Sequence, residues 1–134
     1  MRVAGFDPGL RRIGVALSVD GAGFPLAVVP RTSGWQDRVR GIVDDYRVEM
    51  AVVGVPLSLD GGETESTQMA RRFIVELQPL IGLPIVEVDE RFSSRGVERA
   101  LTEAGVSTRD QRGRVDDLAA ADILQRYLDG LHRA

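Results

Sequence analysis

Three acidic sites stand at the edge of a core element. Asp7 follows the apolar Val3-Ala4-Gly5-Phe6, Glu90 follows Val86-Glu87-Val88-Asp89, and the pair Asp116-Asp117 opens the last helical pattern. An acid beside a buried strand is costly unless a cation or a hydrogen-bond donor meets it. If folding gathers the three, their mutual repulsion would force protonation without a compensating positive charge. The expectation is a carboxylate cluster that holds a divalent metal. The chain has no Cys, and its single histidine, His132, lies in the tail. An oxygen-only donor set of this kind favours Mg²⁺ or Mn²⁺ over zinc. Such a site suits in-line displacement at a phosphodiester. Arg11 and Arg12 beside Asp7, with Arg91 and Arg95 beside Glu90, could hold the polyanion by charge-assisted hydrogen bonds.

Each residue also has a plainer reading. Asp7 could cap the backbone of the turn over 9–12. Glu90 could pair with Arg91 or Arg95, or favour a helix start. A rotation of ~100° per residue puts Asp116 and Asp117 on either side of the apolar arc's centre, so spacing alone leaves both open. An acid on a buried helical face is nonetheless uncommon. Other chemistries lack their residues: there is no phosphate-binding Gly-x-x-x-x-Gly-Lys loop, and Ser93 and Ser94 have no histidine near them in sequence.

The elements that must position these residues follow from periodicity. Residues 3–7, 12–19 and 23–29 read as three strands joined by the 8–12 turn and by Asp20-Gly21, an antiparallel meander. Ser33 and Gln36 form a capping-box pattern ahead of a helix over 34–47, with Trp35, Val39, Ile42, Val43 and Tyr46 as its stripe. The valine-rich run 50–55 reads as a buried parallel strand. A loop over 56–62 follows, then a helix over 63–79 carrying Met69, Phe73, Leu77 and Leu80. A fifth strand spans 84–88. A helix capped by Ser94 and stopped by Gly105 carries Val97, Ala100, Leu101 and Ala104. Residues 106–114 read as a polar loop. A last helix over 115–129 turns Ala120, Ile123, Leu124, Tyr127 and Leu128 inward. The sum is one α/β domain over 1–134: a five-stranded mixed sheet, three meander strands plus two parallel ones, with helices on both faces. In such sheets the binding crevice lies beyond the carboxyl ends of the parallel strands.

Composition sets the class. The 134 residues, 43% of them hydrophobic, suffice for one sizeable core. No apolar run approaches the ~20 residues of a membrane span, and no signal-peptide pattern opens the chain. These features, with the lack of cysteine, fit the cytoplasm. All 17 basic residues are arginine, and the net charge is −3. Between Glu90 and Asp116, however, six arginines face three acids. That local surplus fits a nucleic-acid partner better than the total charge does, although a solvated helix face would look similar.

The segments Gly5-Phe6-Asp7-Pro8-Gly9 with Arg12-Ile13-Gly14-Val15-Ala16, Val53-Gly54-Val55-Pro56-Leu57 with Asp60-Gly61, Asp89-Glu90-Arg91-Phe92-Ser93-Ser94, and Val115-Asp116 with Leu118-Ala119-Ala120 and Ile123-Leu124-Gln125 resemble, in order and over nearly the whole chain, the four blocks of the YqgF/RuvX family. The resemblance implies a ribonuclease H-like fold related to Holliday junction resolvases and a nuclease that matures the 5′ end of pre-16S ribosomal RNA. It assigns the family's acidic positions to Asp7, Glu90 and Asp116, with Asp117 at a neighbouring, variable place. Pro8, Ser93-Ser94 and Asp122 depart from the family's usual residues. Resolvase relatives carry a fourth acid three positions beyond the helix aspartate, where this chain has Ala119. The expected activity is therefore metal-dependent cleavage of nucleic acid, RNA ahead of branched DNA, with no membrane partner. A dimeric junction resolvase and a non-catalytic nucleic-acid-binding factor in transcription or ribosome assembly are the alternatives. Both a monomer and a homodimer fit the sequence.

Overall fold

The computed structural model describes residues 1–90 and 116–133, and within the last helix the side chains of 118–131. The expected helix after Ser94, the 106–114 loop, and residues Arg91 and Arg95 lie outside the described residues. Five strands, β1 (Val3–Pro8), β2 (Arg12–Val19), β3 (Ala22–Pro30), β4 (Met50–Val55) and β5 (Ile85–Asp89), form one sheet in the order β3-β2-β1-β4-β5. β1, β2 and β3 pair antiparallel, whereas β1–β4 and β4–β5 are parallel. The expected mixed sheet is therefore present. Asp20 and Gly21 join β2 to β3 with φ of 51° and 81°, the pair of positive angles that a tight two-residue hairpin requires.

Among the described residues three helices cover the sheet: α1 (Trp35–Asp45), α2 (Glu65–Ile81) and α3 (Asp116–Arg133). α1 and α2 lie on one face, where Val39, Val43, Phe73 and Leu77 pack on Ala4, Phe6, Ile13, Val15 and Val53. Phe73 is the hub, its ring centroid 6.0 Å from Phe6 and 5.7 Å from Trp35. α3 lies on the other face, packing Ala120, Ile123, Leu124 and Leu128 on Val3, Ala16 and Val52.

Two helix ends differ from expectation. No Ser33 cap forms: the N-cap of α1 is Gly34, at φ 89°, with no side-chain cap hydrogen bond. The buried Trp35 is held against Phe73, so tertiary packing and not local capping fixes the entry. α1 also stops at Asp45, and Tyr46 leaves the apolar stripe to sit 40% exposed. α2, in turn, has a reciprocal cap built from Thr64 and Thr67. A Thr at the fourth position replaces the usual Glu or Gln. The Thr67 hydroxyl also donates to the Pro56 carbonyl, which ties the start of α2 to the end of β4.

The α3 face is close-packed because three strands present glycine to it. A Cβ on Gly5 would lie 2.8 Å from Leu124 Cβ, one on Gly23 2.9 Å from the Ala121 carbonyl oxygen, and one on Gly54 2.4 Å from Ile123 Cδ1. Gln125 Oε1 accepts from the Gly23 N–H at 2.9 Å, which fixes the helix along the meander. Gly5→Ala must therefore push α3 off the sheet, and we expect a loss of roughly 1–3 kcal/mol, the usual cost of overpacking. Gly41, inside α1 with open space around it, is the control: Gly41→Ala should gain roughly 0.5–1 kcal/mol. Urea unfolding midpoints of the two variants check both signs.

Candidate active site

Side chains alternate along a strand, so the α3-facing set of β1 is Val3, Gly5 and Asp7. In β5 it is Val86 and Val88, with Glu90 next in line just past the strand end. Phe6, between Gly5 and Asp7, belongs to the opposite core, whereas Val86 and Val88 pack on the α3 side. Asp7 and Glu90 thus leave the same face of the sheet at the carboxyl ends of two parallel strands. Both are buried, at 4% and 0% exposure.

β4 runs between them. Phe6 pairs with Val53 and Gly54 with Val88, so Asp7 and Glu90 flank Gly54. The Glu90 N–H donates to the Val55 carbonyl at 3.3 Å, which extends the β4–β5 ladder by one residue. The backbones of β1 and β5 are two strand spacings apart, about 10 Å, too far for direct contact between short side chains. The glycine shortens the gap: a Cβ on Gly54 would lie 3.2 Å from Glu90 Cδ. The glutamate carboxyl therefore lies over the glycine, in space that any other residue would fill. Glu90 Oε2 is sealed from solvent.

The expected third acid, Asp116 or its neighbour Asp117, is carried by α3. Ala120 and Leu124 sit over Gly5, and Leu128 reaches the cleft beside Met1 and Arg2. Going back one turn from Ala120 moves about 5.4 Å along the axis, close to the ~6.6 Å between Gly5 and Asp7 in the strand. The backbone of Asp116 and Asp117 accordingly starts α3 near the carboxyl end of β1. The side chains of Asp116 and Asp117 are outside the described residues, as are Arg91 and Arg95. Among the described residues alone, no group of three His, Cys, Asp or Glu side chains comes close enough to hold a metal.

Arg11 and Arg12 are exposed on the turn that follows Asp7. That turn is closed by the Gly9 N–H on the Arg12 carbonyl at 2.9 Å. Beside it, a groove of about 430 Å³ runs between Leu10 and the start of α2, lined there by Ser66, Gln68, Met69 and Arg72. The loop after β4 is compact: the Ser58 N–H donates to the Gly62 carbonyl, the Gly62 N–H to Asp60 Oδ1, both at 2.9 Å, with Gly61 at φ 90°. A wider cleft of about 630 Å³, lined by Met1, Arg2, Ser18, Tyr46, Arg47 and Leu128 among others, opens at the amino ends of the parallel strands. It holds none of the predicted site residues.

Gly54, Thr67 and Arg31 escaped sequence reading. A lone glycine inside the valine run 51–55 is a signal of close backbone approach and could have drawn attention to Gly54. Thr64-Glu65-Ser66-Thr67 lacks the acid or amide that marks a capping box. Arg31, which grips the turn after Asp7, follows Pro30 in no recognisable pattern.

Comparison with known proteins gives the family and the fold. Residues 1–130 match the family described as "RuvX: Holliday junction resolvase". A protein of Anaeromyxobacter sp. (strain Fw109-5) named "Putative pre-16S rRNA nuclease" is 43% identical over 98% of this chain and 99% of its own. One of the same name from Syntrophus aciditrophicus is 41% identical over 98% of this chain and 90% of its own. Among solved structures, T. thermophilus RuvC in complex with a Holliday junction substrate superposes with a TM-score of 0.60 at 16% identity, covering 98% of this chain and 96% of that one. Fowlpox virus resolvase gives 0.51 at 12%, over 98% and 99%. These two share the fold. Near-complete coverage by the family and by relatives above 40% identity leaves one assignment: the chain belongs to the RuvX family.

Proposed function

We propose that this chain is a metal-dependent nuclease that hydrolyses phosphodiester bonds of RNA, in the 5′-end maturation of pre-16S ribosomal RNA. Asp7, Glu90 and Asp116 are its metal ligands and catalytic residues. The observation that carries the reading is the pair of buried carboxylates on one sheet face, flanking Gly54 at the end where α3 begins. The names of relatives matched over nearly their whole length support RNA as the substrate.

The residues fit a hard divalent cation. Asp7 and Glu90 offer only carboxylate oxygens, and the Glu90 carboxyl is already lodged in the gap above Gly54. Mg²⁺ or Mn²⁺ bound there would lower the pKa of an attacking water and stabilise the leaving oxygen. The protein's own part is placement. Burial removes competing water from Glu90, and the β-ladders fix both carboxylates on rigid elements. Arg11 and Arg12 project from the turn to meet phosphates, with Arg91 and Arg95 assigned the same task. The compact 56–62 loop and Arg72 border the path of the strand.

A Holliday junction resolvase is the second reading, favoured by the family description and the shared fold. Ala119, buried at 6% exposure three residues after Asp116, offers no carboxylate for it.

Asp7→Asn, which removes one charge and keeps the shape, should lower RNA cleavage by about 100-fold or more, beyond the 10–100-fold typical of losing a mere supporting contact. Equal rates for the variant and the unmodified chain on a precursor-rRNA fragment would refute the assignment. Cleavage should also stop in EDTA, return with Mn²⁺ or Mg²⁺, and fail with Ca²⁺, whose looser coordination positions the reactants poorly. Competition between precursor RNA and a four-way DNA junction decides between the two readings. We expect RNA to be cut preferentially, and junction preference by a dimer seen in light scattering would reverse the order.

A further inference from the structure

We infer that Arg31 is a positioning residue for Asp7: it clamps the turn that follows the aspartate and so governs how well the site holds its metal. The inference rests on the metal-site reading given above. Arg31 grips the turn twice. Its backbone N–H donates to the Arg11 carbonyl at 2.8 Å, and its Nη1 donates to the Gly9 carbonyl at 3.2 Å. Gly9 is two residues from Asp7.

The far side of the guanidinium is held as firmly. Nη2 pairs with Glu76 Oε2 of α2 at 2.9 Å. The guanidinium carbon lies 5.2 Å from the Trp35 ring centroid and 5.5 Å from that of Phe73, within cation–π range of both. The Arg31 side chain is only 15% exposed, which shelters its contacts with the two rings and the Gly9 carbonyl, whereas Glu76 is 49% exposed and its pair is open to the screening that weakens surface ion pairs. α2 is fastened in turn to the end of β4 through Thr67 and Pro56. A continuous chain of contacts thus runs from the turn behind Asp7, through Arg31 and α2, to the strand end that bonds Glu90. A planar group with donors on several edges can bind a carbonyl and a carboxylate while lying against two rings, which an ammonium cannot do.

The test is Mn²⁺ binding by titration calorimetry on the full chain, with the fluorescence of Trp35, the single tryptophan, reporting whether the clamp is broken. Arg31→Met should bind Mn²⁺ about 10-fold or more weakly, in the range of lost supporting contacts at metal sites. Arg31→Lys should fall between it and the unmodified chain. Excess Mn²⁺ should restore kcat in both, which general loosening of the fold would not allow. Glu76→Gln keeps the Gly9 contact and should shift affinity by no more than about two-fold, small against the loss from removing the clamp. Unchanged Mn²⁺ affinity in folded Arg31→Met overturns the inference. If that variant does not fold, unchanged affinity in Arg31→Lys overturns it. An unmodified chain that binds no Mn²⁺ sinks the metal reading and the clamp together, whereas binding that ignores Arg31 sinks the clamp alone.

Discussion

Burying carboxylates is the constraint to which the rest of this structure answers. Glu90 has no exposed surface and Asp7 almost none, yet one lies just past the end of β5 and the other near the end of the wholly buried β1. Taking an ionised acid out of water costs several kcal/mol unless charge or hydrogen bonds replace the lost hydration. A fold selected only for stability would place apolar side chains at these two positions. Retaining acids there trades stability for a function, the usual pattern at active sites.

The sheet meets this constraint by omission. Where α3 crosses, the strands carry Gly5, Gly23 and Gly54 in place of the bulky residues that face α1 and α2. Helix and sheet approach closely on one side and are spaced by aromatic rings on the other. The same device that seats Ile123 against β4 also leaves the space into which the Glu90 carboxyl turns. Close packing and site formation therefore have a single cause at Gly54, and neither could be altered without the other.

Much of this was legible in residue order. The meander, the parallel pair and the three described helices follow from alternation, valine content and helical spacing, which are strong signals in segments as regular as 50–55 and 116–128. Asp7 and Glu90 stood out because a charge at the end of an apolar run is conspicuous. What escaped depended on contacts between distant segments. Ser33 is a good capping residue, but Trp35 is drawn against Phe73 and the cap moves to a glycine. Tyr46 fits the stripe of α1, but the helix has ended before it. Arg31 has no local signature at all, since its partners Gly9, Trp35, Phe73 and Glu76 come from three other parts of the chain.

The order of elements along the chain has a consequence for biosynthesis. The face formed by Val3, Ala16 and Val52 is covered by residues 120–128, which leave the ribosome more than sixty residues after β4. Until those residues dock, the side of the sheet that carries Val3, Ala16 and Val52 lacks the helix that packs on it, and apolar surface left open on a growing polypeptide invites chaperones and mispairing.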